Sequence, residues 1–189
     1  MPNTKLFSFS LLLVIAAFGA QFSVYAQGDK GDIRKIDFQN FTYRPTCPYE
    51  RRVIRVRGGR YERKRQGDEL YFSITQIIYG DLTGDGREEA VVTSYCATGG
   101  TGRLSEGYIY TMQRGRLVEL VRLEQGDRAF GGISQVDIKG GQLVVERYAP
   151  EAPGTGACCP KYIDTQTYRL QGRRLIKVGR AQRRPAPEQ

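Results

Sequence analysis

The amino-acid sequence predicts an all-β fold, an antiparallel sandwich or barrel-like sheet of about ten hairpin-connected strands. Three observations carry that expectation. Four apolar, β-branched or aromatic runs each meet a glycine-centred turn and then resume, at 53–61, 108–118, 136–145 and 168–176. Glycine supplies the positive φ that two-residue hairpin turns need. Two further strand patterns, Glu69 to Tyr79 and Glu88 to Thr98, flank an acidic loop, and no stretch sustains a helical period.

From the N-terminus, Met1 to Ala26 carries Lys5, an apolar run from Leu11 to Ala20 and the small-residue end Val24-Tyr25-Ala26. This is the pattern of a cleaved secretory signal, and the apolar run is too short to span a bilayer. The protein is therefore expected to be secreted or periplasmic, with no transmembrane segment in the mature chain. Residues 27–35 read as a loose start, 36–180 as one β domain, and 181–189 as a disordered tail. Ile36 and Phe38 alternate with Asp37 and Gln39, so a short strand is expected there. Asn40-Phe41-Thr42 matches an N-glycosylation acceptor.

Four cysteines in a chain bound for an oxidising compartment predict two disulfides. Cys158 and Cys159 are adjacent, and a bond between them would close a strained ring. Each is therefore expected to take one of Cys47 and Cys96, and the sequence leaves open which.

The acidic loop, Asp81-Leu82-Thr83-Gly84-Asp85-Gly86-Arg87-Glu88-Glu89, can be laid on the calcium pattern D-x-[DN]-x-[DN]-G. The candidate ligands are Asp81, Thr83, Asp85, the Arg87 carbonyl and Glu89. Val92 stands where an EF-hand requires a bidentate carboxylate, which excludes that motif. The loop resembles those of FG-GAP repeats, the strand-loop-strand units of integrin α chains and many bacterial secreted proteins, over about a dozen residues. The resemblance implies a calcium ion in the turn. Thr83 and Glu89 depart from it, the first offering a neutral hydroxyl and the second a longer reach. The alternative is a turn without metal, in which Asp81 and Asp85 accept hydrogen bonds from their own backbone.

The net charge is +9, and its cations cluster. Arg51, Arg52, Arg55, Arg57, Arg60, Arg63, Lys64 and Arg65 face only Glu62 in the first hairpin. Arg173, Arg174 and Lys177 open a second cluster that runs through Arg180, Arg183 and Arg184. Placed side by side, the two would form an anion-binding face, although Lys and Arg also guard exposed sheet edges. The expected partner is a protein or an anionic cell-surface polymer, and no nucleic acid is expected once the chain is exported.

The absence of histidine excludes Ser-His-Asp and Cys-His chemistry and histidine-ligated zinc. A carboxylate pair, Asp81 with Glu88 or Glu106, is what remains for a hydrolase. The expected function is a non-enzymatic binding module with a candidate calcium loop, the alternative being an envelope-associated binder of anionic polymer.

Overall fold

A computed structural model describes residues 31–47, 53–67, 69–100, 102–129, 131–151 and 160–187. The signal segment, Arg51, Arg52, Cys158 and Cys159 lie outside the described residues. The fold is all-β. Its strands are β1 (Thr42–Tyr43), β2 (Ile54–Arg55), β3 (Arg60–Arg63), β4 (Leu70–Gly80), β5 (Glu89–Ala97), β6 (Leu104–Gln113), β7 (Arg116–Gly126), β8 (Ile133–Lys139), β9 (Gln142–Ala149), β10 (Tyr162–Gln171) and β11 (Arg174–Pro185). They form a five-stranded sheet in the order β3-β4-β5-β6-β7, a four-stranded sheet β11-β10-β9-β8, and a two-stranded β1-β2 ladder. Every pairing among them is antiparallel.

The arrangement is a sandwich with a third, thinner layer. Side chains alternate across a strand, so neighbours on β5 and β6 enter different cores. Ala90, Val92, Cys96, Tyr108 and Tyr110 pack with Ile33, Phe38, Tyr43 and Ile54 of the N-terminal segment. Val91 and Ile109 face the other way, onto Val136, Leu143, Val145 and Leu170 of the four-stranded sheet. The central sheet is thereby covered on both sides. This explains why β5 is an apolar run without polar alternation.

The sheets meet closely at β4 and β8. A Cβ on Gly80 would lie 2.8 Å from Cγ2 of Ile138, so glycine permits the approach. The Gln76 carboxamide accepts from Val136 N at 2.9 Å and donates to Val136 O at 3.2 Å, satisfying the backbone of the β8 edge.

Three of the four glycine-centred hairpins form as expected, joining β6 to β7, β8 to β9 and β10 to β11. At 53–61, Gly58 and Gly59 do turn the chain, with a single bridge between Arg57 and Arg60. The flanking strands then part: β2 pairs with β1 and β3 with β4.

Other expectations are corrected. The strand at Ile36 and Phe38 is two 3-10 turns, Ile33–Lys35 and Phe38–Asn40. Asp32 accepts from Arg34 N, and Asp37 accepts from Gln39 N and Asn40 N, so the two acids cap turns and override the period-two pattern. Within the start expected to be loose, Ile33 is buried in the core and Arg34 pairs with Glu88. Asn40, the glycosylation candidate, donates to Asp37 Oδ2 at 2.8 Å and accepts from Gly58 N at 3.0 Å, so its amide holds this corner together. The segment expected as a tail continues β11 to Pro185. Arg183 there forms a bidentate pair with Asp164, Arg184 reaches Glu146, and Ala186 N donates to Lys161 O.

The disulfide joins Cys47 to Cys96, with Cα atoms 6.4 Å apart. This overturns the expected assignment of each to Cys158 or Cys159. The physical reason is the face of β5: Cys96 shares a side with Ala90 and Val92, which face the N-terminal segment that carries Cys47.

A candidate anion-binding groove

The acidic loop connects β4 to β5, and its carboxylates are consumed by the loop itself. Asp81 accepts from the backbone N–H of Gly84 at 2.7 Å, Asp85 at 3.3 Å and Gly86 at 2.8 Å. Asp85 turns the other way. It accepts from Arg87 N at 3.0 Å and forms an ion pair with the Arg87 guanidinium, which holds its carboxyl below the usual carboxylate range. Glu89 is the first residue of β5 and is 0% exposed. It accepts from Leu82 N at 2.9 Å, Thr83 N at 3.2 Å and the Thr111 hydroxyl at 2.8 Å. Burial raises its pKa, while these three donors pull against that rise.

Of the expected ligands Asp81, Thr83, Asp85, Arg87 and Glu89, each carboxylate is thus engaged by donors of the protein itself. Among the described residues no three of Cys, Asp and Glu gather as a metal site. The donor set does not fit calcium, because two of its three carboxylates face N–H groups and the third faces a guanidinium. The described geometry is that of the hydrogen-bonded turn, the alternative to a metal loop.

A carboxylate pair is also not assembled. Glu88 is held by Arg34 at 2.7 Å. Glu106 sits opposite Ser94 on the neighbouring strand, roughly 17 Å along β5 from Glu89. There it accepts from Thr46 and the Tyr108 hydroxyl.

The two basic clusters are separated by the fold. Arg60 and Arg63 lie on β3, with Lys64 and Arg65 just beyond it; Arg55 lies on β2 and Arg57 precedes the turn. Lys64 is paired to Glu62 at 2.8 Å. β3 is one edge of the five-stranded sheet and β7 is the other, about 19 Å away at the usual strand spacing. The second cluster sits at β7, because the Arg173 guanidinium at the β10–β11 turn donates to Glu119 O at 2.9 Å. Among the described residues, the two clusters do not merge into the single face expected from the sequence.

The second cluster acquires partners that the sequence did not offer. Between β7 and the start of β11 runs a groove of about 430 Å³. Arg173, Arg174 and Lys177 line it, joined by Arg122 of β7 and Arg147 of β9, with Glu124 as the one acid in the lining. Arg122 is fixed by Glu119 at 2.7 Å, by Arg44 O at 2.7 Å and by stacking over the Tyr108 ring. Arg147 is fixed by two carbonyls, Glu124 O at 3.0 Å and Gly131 O at 2.7 Å. These carbonyls leave its charge uncompensated. Arg174 and Lys177 make no ion pair with any described carboxylate. Tyr168, Leu175 and Ile176 supply apolar surface, and Ile176 is 43% exposed.

Arg122 and Arg147 escaped the sequence reading because each is a single cation in an otherwise ordinary strand. Their convergence comes from sheet packing, which leaves no local signature. No protein-family model, curated protein or solved structure matches the chain.

Proposed function

We propose that the protein is a secreted, non-enzymatic binding module that takes an anionic cell-surface polymer in the groove between β7 and β11. The observation that carries the reading is the composition of that groove: Arg147, Arg173, Arg174 and Lys177 beside the Glu119-paired Arg122, one further acid, Glu124, and a strip of exposed apolar surface. Fixed guanidiniums recognise carboxylate, sulfate or phosphate groups without paying much side-chain entropy. The apolar strip suits the carbon faces of sugar rings.

Export is supported by the pattern of Met1 to Ala26 and by the Cys47–Cys96 bond, since disulfides persist in oxidising compartments. No described helix is long and apolar enough to cross a membrane. The binding reading is preferred over a hydrolase because Asp81, Glu88 and Glu106 are separately occupied.

The test is salt-gradient elution from a sulfated polysaccharide resin. The double variant Arg174→Gln/Lys177→Gln is expected to elute at lower salt, with the slope of log affinity against log salt reduced by roughly one per cation removed. Arg57→Gln/Arg65→Gln, which removes the same charge on the β3 side, is the control. Equal losses from both variants would reduce the groove to general surface charge.

A further inference from the structure

A second hollow adjoins the groove, and Arg122 lines both. It measures about 460 Å³ against about 430 Å³ for the groove, and each falls within the roughly 300–1,000 Å³ of a small-ligand site. Its described lining is Arg44, Pro45, Thr46, Val53 and Arg122, with no Asp or Glu. The β1–β2 ladder explains two of these. Its register pairs Thr42 with Arg55 and Tyr43 with Ile54, so Arg44 and Val53 are the next opposed residues, just past the ladder's end. Opposed residues share a face. That face is the exposed one, because Tyr43 and Ile54 are turned into the core.

Arg122 makes the two hollows continuous. Its guanidinium holds Glu119 on β7 and donates to Arg44 O at 2.7 Å, which ties the β7 edge to the end of β1. Only the backbone carbonyl of Arg44 is used in that bond. Its side chain is exposed and makes no ion pair with any described carboxylate. Apolar exposure follows the same path. Among the described residues, the exposed large apolar side chains are Val53 at 58% and Ile176 at 43%. A single exposed aliphatic side chain is ordinary on a protein surface. Here one of them lines each hollow, beside a cation that no described acid neutralises: Val53 with Arg44, and Ile176 with Arg174 and Lys177.

A polymer of acidic sugars presents the complementary features at intervals, an anionic group and the carbon face of a ring. Two joined cavities that each offer a cation beside an aliphatic side chain match that repetition, whereas a compact ion would occupy only one of them. We infer that the hollow at Arg44 and Val53 is a second subsite for the anionic polysaccharide of the groove, so that the ligand crosses Arg122 and is bound as an oligosaccharide filling both. This rests on the groove taking the polymer. Affinity then depends on chain length. A fragment that fills the groove alone gains nothing from Arg44, while a longer one reaches the second subsite as an intramolecular step at high effective concentration.

The experiment is calorimetric titration of the full chain with size-fractionated oligosaccharides from one sulfated polysaccharide, from the disaccharide upward, at constant ionic strength. Arg44→Gln is expected to bind short fragments as wild type does and long ones about tenfold more weakly, the loss of one charge-assisted contact. Val53→Ser should lose part of the same gain. Arg57→Gln, which removes an equal charge outside both linings, should keep the wild-type affinity at every length. Long-fragment affinity unchanged in Arg44→Gln, or lowered as much in Arg57→Gln, overturns the inference. The groove reading survives either result if Arg174→Gln/Lys177→Gln weakens fragments of every length. Absence of saturable binding by every fragment overturns both. The Arg44 side chain is exposed and bonds to no described residue, so its variant should fold.

Discussion

Glu89 offers the sharpest test of the structure because the expected cost depends on what replaces it. In Glu89→Ala, the N–H groups of Leu82 and Thr83 and the hydroxyl of Thr111 lose their acceptor together. A buried donor left unsatisfied costs about 1–3 kcal/mol. Thr83 is exposed and recovers part of its loss from water, whereas Leu82 and Thr111 are buried. The sum is roughly 3–5 kcal/mol, a large fraction of the 5–15 kcal/mol typical of a domain. Glu89→Gln keeps an oxygen for the two N–H groups and offers an amide N–H to Thr111. It should therefore stay within about 1 kcal/mol of wild type near neutral pH.

The same pair of proteins tests the protonation state. The folded pKa of Glu89 is raised by burial, so between the unfolded and folded values the native state binds more protons than the unfolded chain. The stability linked to this group is fully present below the unfolded pKa and is lost as pH rises through the folded one. Glutamine does not titrate, so wild-type stability minus that of Glu89→Gln should fall with rising pH from the ordinary carboxylate range upward. Urea melts across pH measure it. An alanine variant as stable as wild type, or a difference that grows with pH, would refute the reasoning.

Two further predictions concern the loop and the disulfide. Because Asp81, Asp85 and Glu89 point at donors of the protein itself, the thermal midpoint of the oxidised chain is expected to be the same in millimolar calcium and in chelator. A midpoint raised by calcium and lowered again by Asp85→Ala would reinstate the metal. The Cys47–Cys96 bond spans a sequence separation of 49, for which chain entropy gives about 4 kcal/mol. Cys47→Ser/Cys96→Ser should lose a stability of that order in denaturant melts, and a loss under about 1 kcal/mol would mean that the bond constrains little.

The strands were legible because their signals are local. Glycine turns at 114–115, 140–141 and 172 located the hairpins of β6 to β11, and the runs on both sides of the acidic loop gave β4 and β5 to within a residue. The N-terminal layer was not legible, because its 3-10 turns depend on Asp32 and Asp37 accepting from their own backbone, and two alternating apolar residues looked like a strand. β11 was cut short because Arg183-Arg184-Pro185 has no apolar pattern. It is held instead by Asp164 and Glu146 on β10 and β9, which only the register reveals. The disulfide failed for a related reason. Spacing cannot say which face of β5 Cys96 occupies, and the face decides its partner.

The layer arrangement also restricts where recognition can happen. The central sheet is covered on one side by the N-terminal segment and on the other by the second sheet, so much of its strand surface is closed to a ligand. Glu89 and Glu106, both on those faces, are committed to neighbours. Exposed chemistry is confined to sheet edges and to seams between sheets. Of these, the β3 edge carries cations on a short strand, the arrangement that prevents pairing with another chain. The β7–β11 seam differs from that edge in one physical respect. Arg147 and Arg173 there are fixed by carbonyls before any ligand arrives. A swinging surface cation must pay its ordering entropy on binding, and a fixed one has largely paid it on folding. Affinity for anions should therefore reside in that seam, although the first hairpin contributes the denser run of positive charge.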